Sequence, residues 1–252
     1  MKSIHWLGSG LSSIPGIRRL ASNNYNLTVW NRTFSKAQKS IDHVKSDKVS
    51  AKSFNINEIK ETVEQGDIIV SQLTASMHLD IAKICLEKKC HFVTTSYLAP
   101  DIKKLNEQAV AQNLTFINEV GLDPGIDHFF SHLLVQELKS LNLNNLSVSY
   151  KSYCGGIPAV PNDFKYKFSW SPVGVIKALN SPAKFTQDFE EKLVPQPYKE
   201  VKNHLINNES FEAYPNRDSL PYIEEYLFSP EWKIKEFVRG TLRLNGWTLA
   251  WR

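Results

Sequence analysis

Two short segments near the N-terminus combine residue types suited to holding phosphate. Gly8-Ser9-Gly10-Leu11-Ser12-Ser13 follows an apolar run at residues 4–7 and precedes a helical stretch carrying Ile14, Ile17, Leu20 and Ala21. In a strand, glycine turn and helix of this kind the first glycine allows the tight turn. The second lets a pyrophosphate approach the backbone, where helix N–H groups and the helix dipole meet it. Gly8, Ser9, Gly10 and Leu11 are therefore candidate cofactor-binding residues. The third position usually holds Gly or Ala; here it is Ser13, which is also small. A G-x-G alone ends many strands, so its context decides. After a second apolar run at residues 27–30 come Asn31-Arg32-Thr33 instead of an acidic residue. Asp or Glu there would bind the ribose 2′-hydroxyl of NAD, whereas Arg32, helped by Asn31 and Thr33, attracts a 2′-phosphate. The expected cofactor is NADP(H); the plainer reading is that Arg32 solvates a strand end.

A third segment, residues 118–130, reads N-E-V-G-L-D-P-G-I-D-H-F-F. Gly121 and Gly125 permit backbone angles and close ligand approach that other residues resist, and Pro124 stiffens the bend between them. Asp123 and Asp127 ride on that bend. Without a ligand in view, Asp127 favours the first turn of a helix running through His132, Leu134 and Leu138. His128 fits a helix start as well as it fits a catalytic base.

These segments need a scaffold, and the spacing of the apolar runs supplies one. Strands are expected at residues 67–70, 91–94 and 114–117, with amphipathic helices over 76–88 and 99–112 between them. Strand and helix in alternation predict an α/β fold with a Rossmann-type doubly wound parallel sheet. In such sheets ligands collect at the carboxyl ends of the strands. That gathers Leu73-Thr74, Thr95-Ser96-Tyr97 and residues 121–127, so Leu73, Gly121 and Leu122 join the expected cofactor contacts. Beyond Asp127 the period changes to two: Leu146, Val148 and Tyr150 alternate with polar residues, as do Phe164, Tyr166, Phe168 and Trp170. Half-buried strands follow, with the aromatic row as sheet core. Residues 154–158 form a loop, Ser171-Pro172 opens a short helix ending near Asn180, residues 214–218 make a turn, and residues 237–244 a late strand. An α+β domain with a mixed sheet, residues 123–252, is expected after a cofactor domain over 1–122.

Composition narrows the partners. With 30 basic and 26 acidic residues among 252 the net charge is only +4, with no long run of one sign, which disfavours nucleic acid. Cys85, Cys90 and Cys154 show no CxxC spacing, and His91 beside Cys90 lacks further ligands, so no metal site is expected. No apolar run approaches membrane-spanning length, and an immediate core strand leaves no room for a signal peptide. A cytoplasmic protein with a small-molecule substrate is the expectation.

Several separated segments together resemble the saccharopine dehydrogenase family, most closely its glutamate-forming branch. They are Gly8-Ser9-Gly10, V-T-T-S-Y at 93–97, residues 118–128, S-Y-C-G-G-I-P-A at 152–159, Y-K-F-S-W-S-P at 166–172, Y-P-N-R-D at 214–218 and R-G-T-L-R at 239–243. They span nearly the whole chain in family order. The resemblance implies oxidation of the secondary amine of saccharopine by hydride transfer to NADP, with water cleaving the imine to glutamate and aminoadipate semialdehyde, or the reverse. It implies substrate contact for Ser96 and Tyr97, an ionisable neighbourhood formed by Asp123, Tyr97 and Cys154, and carboxylate binding by Asn216 and Arg217, with Arg243 a second candidate guanidinium. Which group is the base stays open. The resemblance further implies substrate-binding and dimerisation roles for the domain over 123–252, with a homodimer interface on its sheet. Two departures stand out. Val173 occupies the place of a family arginine that binds a substrate carboxylate, and the family's helices returning to the first domain are expected to be absent from a chain ending at Arg252. Two alternatives therefore accompany the main expectation: a nucleotide-binding relic without turnover, and a related enzyme on another amino-acid or polyamine conjugate.

Overall fold

The computed structural model describes residues 2–143 and 145–251. The chain divides into two compact units, Met1–Ile126 and Asp127–Arg252.

The first unit is built on a sheet of six parallel strands: β1 (Ser3–Leu7), β2 (Asn26–Asn31), β3 (Val49–Ser53), β4 (Ile68–Ser71), β5 (His91–Thr94) and β6 (Phe116–Ile117). Their order, β3-β2-β1-β4-β5-β6, is that of a doubly wound dinucleotide-binding sheet, with its topological switch between β1 and β4. Helices α1 (Ile14–Ser22), α2 (Phe34–Ile41), α3 (Ile56–Thr62), α4 (His78–Lys88), α5 (Pro100–Lys103) and α6 (Asn106–Ala111) fill the connections. Leu7, Leu27, Val29, Trp30, Ile69 and Phe92 are buried, as the strands of a sheet packed on both faces require. A buried polar clamp ties the starts of β1 and β4 together. Trp30 Nε1 donates to His5 Nδ1 at 3.3 Å, and His5 Nε2 lies 3.2 Å from Asp67 Oδ2. Asp67 also accepts from the backbone N–H groups of Ser3 and Glu64, each at 2.9 Å.

Three local expectations change. The helix over 99–112 is two helices, because a bond from Leu105 N to Ile102 O at 2.9 Å tightens the turn between them. The strand at 114–117 shortens to β6, since Thr115 N donates to the His91 ring rather than continuing a ladder. Strand β3, V-S-A-K-S, has too little apolar alternation to stand out and forms as an edge strand paired with β2.

The second unit starts with α7 (Ile126–Ser140), whose first residue closes the preceding unit, and continues through β7 (Ser147–Cys154), α8 (Pro172–Leu179), β8 (Ala183–Gln187), β9 (Glu190–Val194), β10 (Lys202–Ile206), β11 (Glu209–Pro215), α9 (Pro221–Glu225), β12 (Lys233–Leu244) and α10 (Trp247–Ala250). The sheet is mixed and runs β10-β11-β12-β8-β9, with β7 pairing β12 in parallel. Tyr150, Tyr226, Phe228, Trp232 and Phe237 make one core cluster, and Tyr166, Val175, Tyr214 and Trp247 another.

The expected strand through Phe164, Tyr166, Phe168 and Trp170 does not form. Its backbone groups are taken by side chains: Asn162 brackets Tyr166 N and O, and Trp251 Nε1 donates to Phe164 O at 3.0 Å. Phe164, Tyr166 and Phe168 gather around Trp251, with Phe164 stacked on it at 4.5 Å, and of the four aromatics only Tyr166 is buried. The row is therefore not sheet core.

Candidate functional site

In the first unit the glycine turn after β1 is shaped as a dinucleotide turn requires. Gly8 has φ +101°, and a Cβ there would lie 2.7 Å from Gln72 O, so both conformation and space demand glycine. At Gly10, by contrast, a Cβ would meet nothing within 4 Å. That open face is where a pyrophosphate would lie against the backbone, ahead of the N–H groups at a helix start that lack intrahelical acceptors. Leu11 opens the first turn and is exposed, whereas Ser9 and Ser13 are buried. Close helix-to-strand contact falls at Gly16, where a Cβ would come within 2.7 Å of the Trp6 ring. Sequence reasoning looked for that contact at Ser13 and passed over the glycine inside α1.

Asn31, at the end of β2, uses both ends of its amide within the protein. Its Oδ1 accepts from Ser9 N at 3.1 Å and its Nδ2 donates to Thr33 O at 3.0 Å. It braces the glycine turn against the segment that follows β2. Arg32 and Thr33 are exposed there, and no carboxylate pairs with Arg32 among the described residues. The turn, the brace and the uncommitted guanidinium together fit a dinucleotide with a 2′-phosphate.

At the carboxyl ends of β4 and β5 the loops lock onto one another. Leu73 packs on the main core cluster. Thr95 Oγ1 donates to Gln72 Oε1 at 2.9 Å, and Ser96 O accepts from Glu119 N at 3.0 Å. Val120 N donates to Thr94 O at 3.2 Å and Glu119 Oε1 accepts from Leu98 N at 2.8 Å, so the segment after β6 hangs on the end of β5. The glycine bend then closes on itself: Gly121 N donates to Pro124 O at 2.9 Å and Gly121 O accepts from Ile126 N at 3.0 Å. A Cβ at Gly125, φ +149°, would lie 2.1 Å from Gly121 O, so the bend excludes any other residue there. Leu122 is exposed at its tip, and the Asp123–Pro124 peptide is cis. The Tyr97 hydroxyl donates to Asp123 Oδ1 at 2.9 Å. Two of the residues expected in the ionisable neighbourhood thus meet, and Ser96 stands beside them in sequence.

His78, which sequence reasoning did not single out, sits between Ser71 and Ser96. Its Nδ1 is 2.9 Å from Ser71 Oγ and its Nε2 is 2.8 Å from Ser96 Oγ. Burial pushes its ionisation below the ordinary histidine range. Only the parallel order of β4 and β5 brings these groups together, which is why spacing alone did not reveal them.

In the second unit Cys154 ends β7 opposite Thr241 of β12. Asn216 N donates to Arg239 O at 2.9 Å, and Arg217 is exposed in a left-handed conformation, φ +58°, its carbonyl held by Lys184 N at 2.9 Å. Asp127, expected to cap α7, does lie in its first turn, but Arg239 Nη2 is 2.7 Å from its Oδ2. The Arg239 guanidinium also covers the Tyr222 ring at 3.9 Å, and His128 stacks on the same ring while its Nδ1 lies 2.8 Å from the Tyr226 hydroxyl. Burial raises the Tyr226 phenol above its ordinary range, so it enters that contact as a neutral group. Arg243 is enclosed by the rings of Tyr166 at 4.8 Å and Trp247 at 5.3 Å, an aromatic box rather than an open carboxylate site. Val173 is exposed in the first turn of α8, where Ser171 Oγ accepts from Gly174 N at 3.1 Å.

Known proteins share this arrangement. A family model described as the saccharopine dehydrogenase NADP binding domain matches residues 4–117, and one described as the saccharopine dehydrogenase C-terminal domain matches residues 121–252. The chain is similar to saccharopine dehydrogenase (NADP+, L-glutamate-forming) of Pyricularia oryzae, 35% identical over 97% of this chain and 55% of the relative. Mouse mitochondrial alpha-aminoadipic semialdehyde synthase is 33% identical over 99% of this chain and 27% of the relative. The structure of apo saccharopine dehydrogenase (L-Glu forming) from Saccharomyces cerevisiae matches with a TM-score of 0.84 at 33% identity, covering 98% of this chain and 56% of that one. The chain spans about half the length of these fungal relatives. A cofactor fold, a glycine bend and a mixed-sheet unit, each matched in the same order along one chain, lead to one assignment: the chain belongs to the saccharopine dehydrogenase family.

Proposed function

We propose that the protein is an NADP(H)-dependent oxidoreductase acting on the secondary amine of saccharopine, yielding glutamate and aminoadipate semialdehyde, or running in reverse. The observation that carries this reading is the Tyr97–Asp123 hydrogen bond on the glycine bend, in the same unit as an open-faced dinucleotide turn. A bound NADP+, held by the glycine turn and the segment after β2, would supply the acceptor for the hydride leaving the carbon attached to nitrogen. The chain's own residues handle protons and charge. Tyr97 and Asp123 share a proton across 2.9 Å and pass it to or from the amine nitrogen and the carbinolamine oxygen that water addition creates. Cys154 belongs to the same proton-handling set, while Ser96, Asn216 and Arg217 bind the substrate's carboxylates, Arg217 through its exposed guanidinium. Gly8, Ser9, Gly10, Leu11, Leu73, Gly121 and Leu122 contact the cofactor, with Arg32 and Thr33 at the 2′-phosphate and Asn31 supporting both segments.

The reading also carries a cytoplasmic homodimer in lysine metabolism. Supporting a reducing compartment, Cys85 and Cys90 are free and buried, and burial pushes the Cys90 thiol up to about 11. No helix among the described residues is long and apolar enough to cross a membrane. Following NADPH spectrophotometrically with glutamate plus aminoadipate semialdehyde, and with saccharopine plus NADP+, tests the activity. Turnover in either direction is expected; none in both overturns it. Sedimentation at micromolar concentration tests the dimer.

A further inference from the structure

We propose that His78 is a positioning residue that sets the Ser96 hydroxyl toward the substrate; this rests on the reading of Ser96 as a substrate contact. His78 begins α4 and is 2% exposed, so its ring cannot meet a substrate itself. Both ring nitrogens are instead spent on hydroxyls, Ser71 Oγ at 2.9 Å and Ser96 Oγ at 2.8 Å, with Thr94 Oγ1 a longer 3.4 Å from Nε2. The Phe92 ring stands edge-on behind it at 6.4 Å. No carboxylate bonds to the ring among the described residues, and a neutral imidazole offers one donor and one acceptor. Ser71 is fully buried, so it anchors the ring to β4. Ser96 is only half-buried and is held at its backbone as well: its N–H donates to Thr94 Oγ1 at 3.3 Å and its carbonyl accepts from Glu119 N at 3.0 Å. With its backbone and one hydrogen-bonding position of its hydroxyl held inside the unit, half-buried Ser96 keeps further hydrogen-bonding capacity for a substrate at the end of β5.

A buried histidine joining two hydroxyls would equally serve as a core cross-link, and two amide variants separate the roles. The Asn amide reaches the place of Nδ1 and keeps the Ser71 contact; the Gln amide reaches the place of Nε2 and keeps the Ser96 contact. Expected is a roughly tenfold higher KM and Kd for saccharopine in His78→Asn, within about threefold of wild type in His78→Gln, with unchanged NADPH affinity in both. In a double-mutant cycle His78→Asn adds nothing to Ser96→Ala, because it acts through that hydroxyl. Equal losses in the two amide variants, or losses that add in the cycle, overturn the proposal. The 15N shifts of the His78 ring supply a readout independent of turnover: they move in Ser96→Ala and on adding saccharopine to wild type. Wild-type protein that neither binds nor turns over saccharopine defeats the functional reading instead, and is recognised by ring shifts that respond to Ser96→Ala but not to saccharopine.

Discussion

The Tyr97 hydroxyl donates to Asp123 Oδ1 at 2.9 Å, joining the end of β5 to a glycine bend 26 residues further along. Geometry of this kind places one proton between two groups that both can lose it. Tyr97→Phe removes the hydroxyl and little else. Positioned acid or base groups contribute about 10²–10⁴-fold to rate, so kcat/KM for saccharopine should fall by about 10²-fold. NADPH affinity, read by fluorescence titration, should not change. Activity within twofold of wild type would show that the pair is a loop staple only.

Asp127 and Arg239 form a second pair, each side chain 9% exposed, with Nη2 and Oδ2 2.7 Å apart. Removing one partner of a buried pair leaves an uncompensated charge and costs about 3–5 kcal/mol, more than the pair itself contributes. Asp127→Ala should therefore lower the unfolding midpoint strongly, and Asp127→Leu combined with Arg239→Met should recover much of the loss. A double variant as unstable as the sum of the singles would contradict the pairing.

How much of this was legible depends on where the information lay. The cofactor sheet was readable because β1, β2, β4 and β5 carry contiguous apolar runs buried on both faces, a signal local to each strand. In the mixed sheet β7 and β12 were readable by their alternation, whereas β8, β9 and β10 were not, since they are five residues each and carry few apolar side chains. Their turns held the missed clue. Asp188-Phe189 and Asn207-Asn208 are two-residue hairpin loops with positive φ at both positions, the geometry of type I′ turns, and Asn-Asn is a sequence suited to it. The aromatic row at 164–170 misled in the opposite way: a period of two predicts a strand only when the backbone groups are free to pair, and here Asn162 and Trp251 take them. Within the site, Tyr97 and Asp123 could be paired through motif resemblance. His78 could not, because its partners on β4 and after β5 converge only through the sheet order.

Glu212 is buried on β11, and its carboxylate accepts from Gly246 N at 2.8 Å, Thr248 N at 2.7 Å and Thr248 Oγ1 at 2.6 Å. Gly246, the N-cap of α10, offers no side chain of its own, so a distant strand caps the helix. Glu212→Ala removes the acceptor from three part-buried donors. Each unsatisfied buried group costs about 1–3 kcal/mol; the loss should be about 3 kcal/mol in denaturant unfolding, with Glu212→Gln retaining part of it. Trp247, 1% exposed at the start of this helix, should report the change as a red-shifted emission. An Ala variant as stable as wild type would remove the cap from the account.

Two buried histidines tie stability to pH. Burial lowers the ionisation of His5, partly offset by Asp67 and reinforced by Lys52, and burial alone lowers that of His78. Unfolding returns both to an ordinary value near 6.5. Below that value the unfolded chain takes up protons that the folded chain does not, so stability is full above it and falls as pH drops toward the depressed folded values. Urea midpoints should therefore be flat above neutrality and decline on acidification below about 6.5. His5→Asn should flatten part of that decline while lowering the plateau. A midpoint that rises on mild acidification would reverse the sign and count against neutral buried rings.

Asn31 and Arg32 are neighbours with separable duties. The Asn31 amide bonds Ser9 N and Thr33 O and so supports the phosphate turn whichever cofactor is present, whereas exposed Arg32 makes no such side-chain bond among the described residues. Asn31→Ala should therefore weaken NADPH and NADH alike. Arg32→Ala should weaken NADPH alone, by about tenfold, the lower range for a charge-assisted bond at a solvent-exposed site. The same exposure makes that difference shrink as salt rises, because screening acts on Arg32 and the 2′-phosphate but not on the Asn31 brace. Fluorescence titrations with both dinucleotides at low and high salt check all three outcomes, and an unchanged NADPH dissociation constant in Arg32→Ala would remove Arg32 from 2′-phosphate recognition.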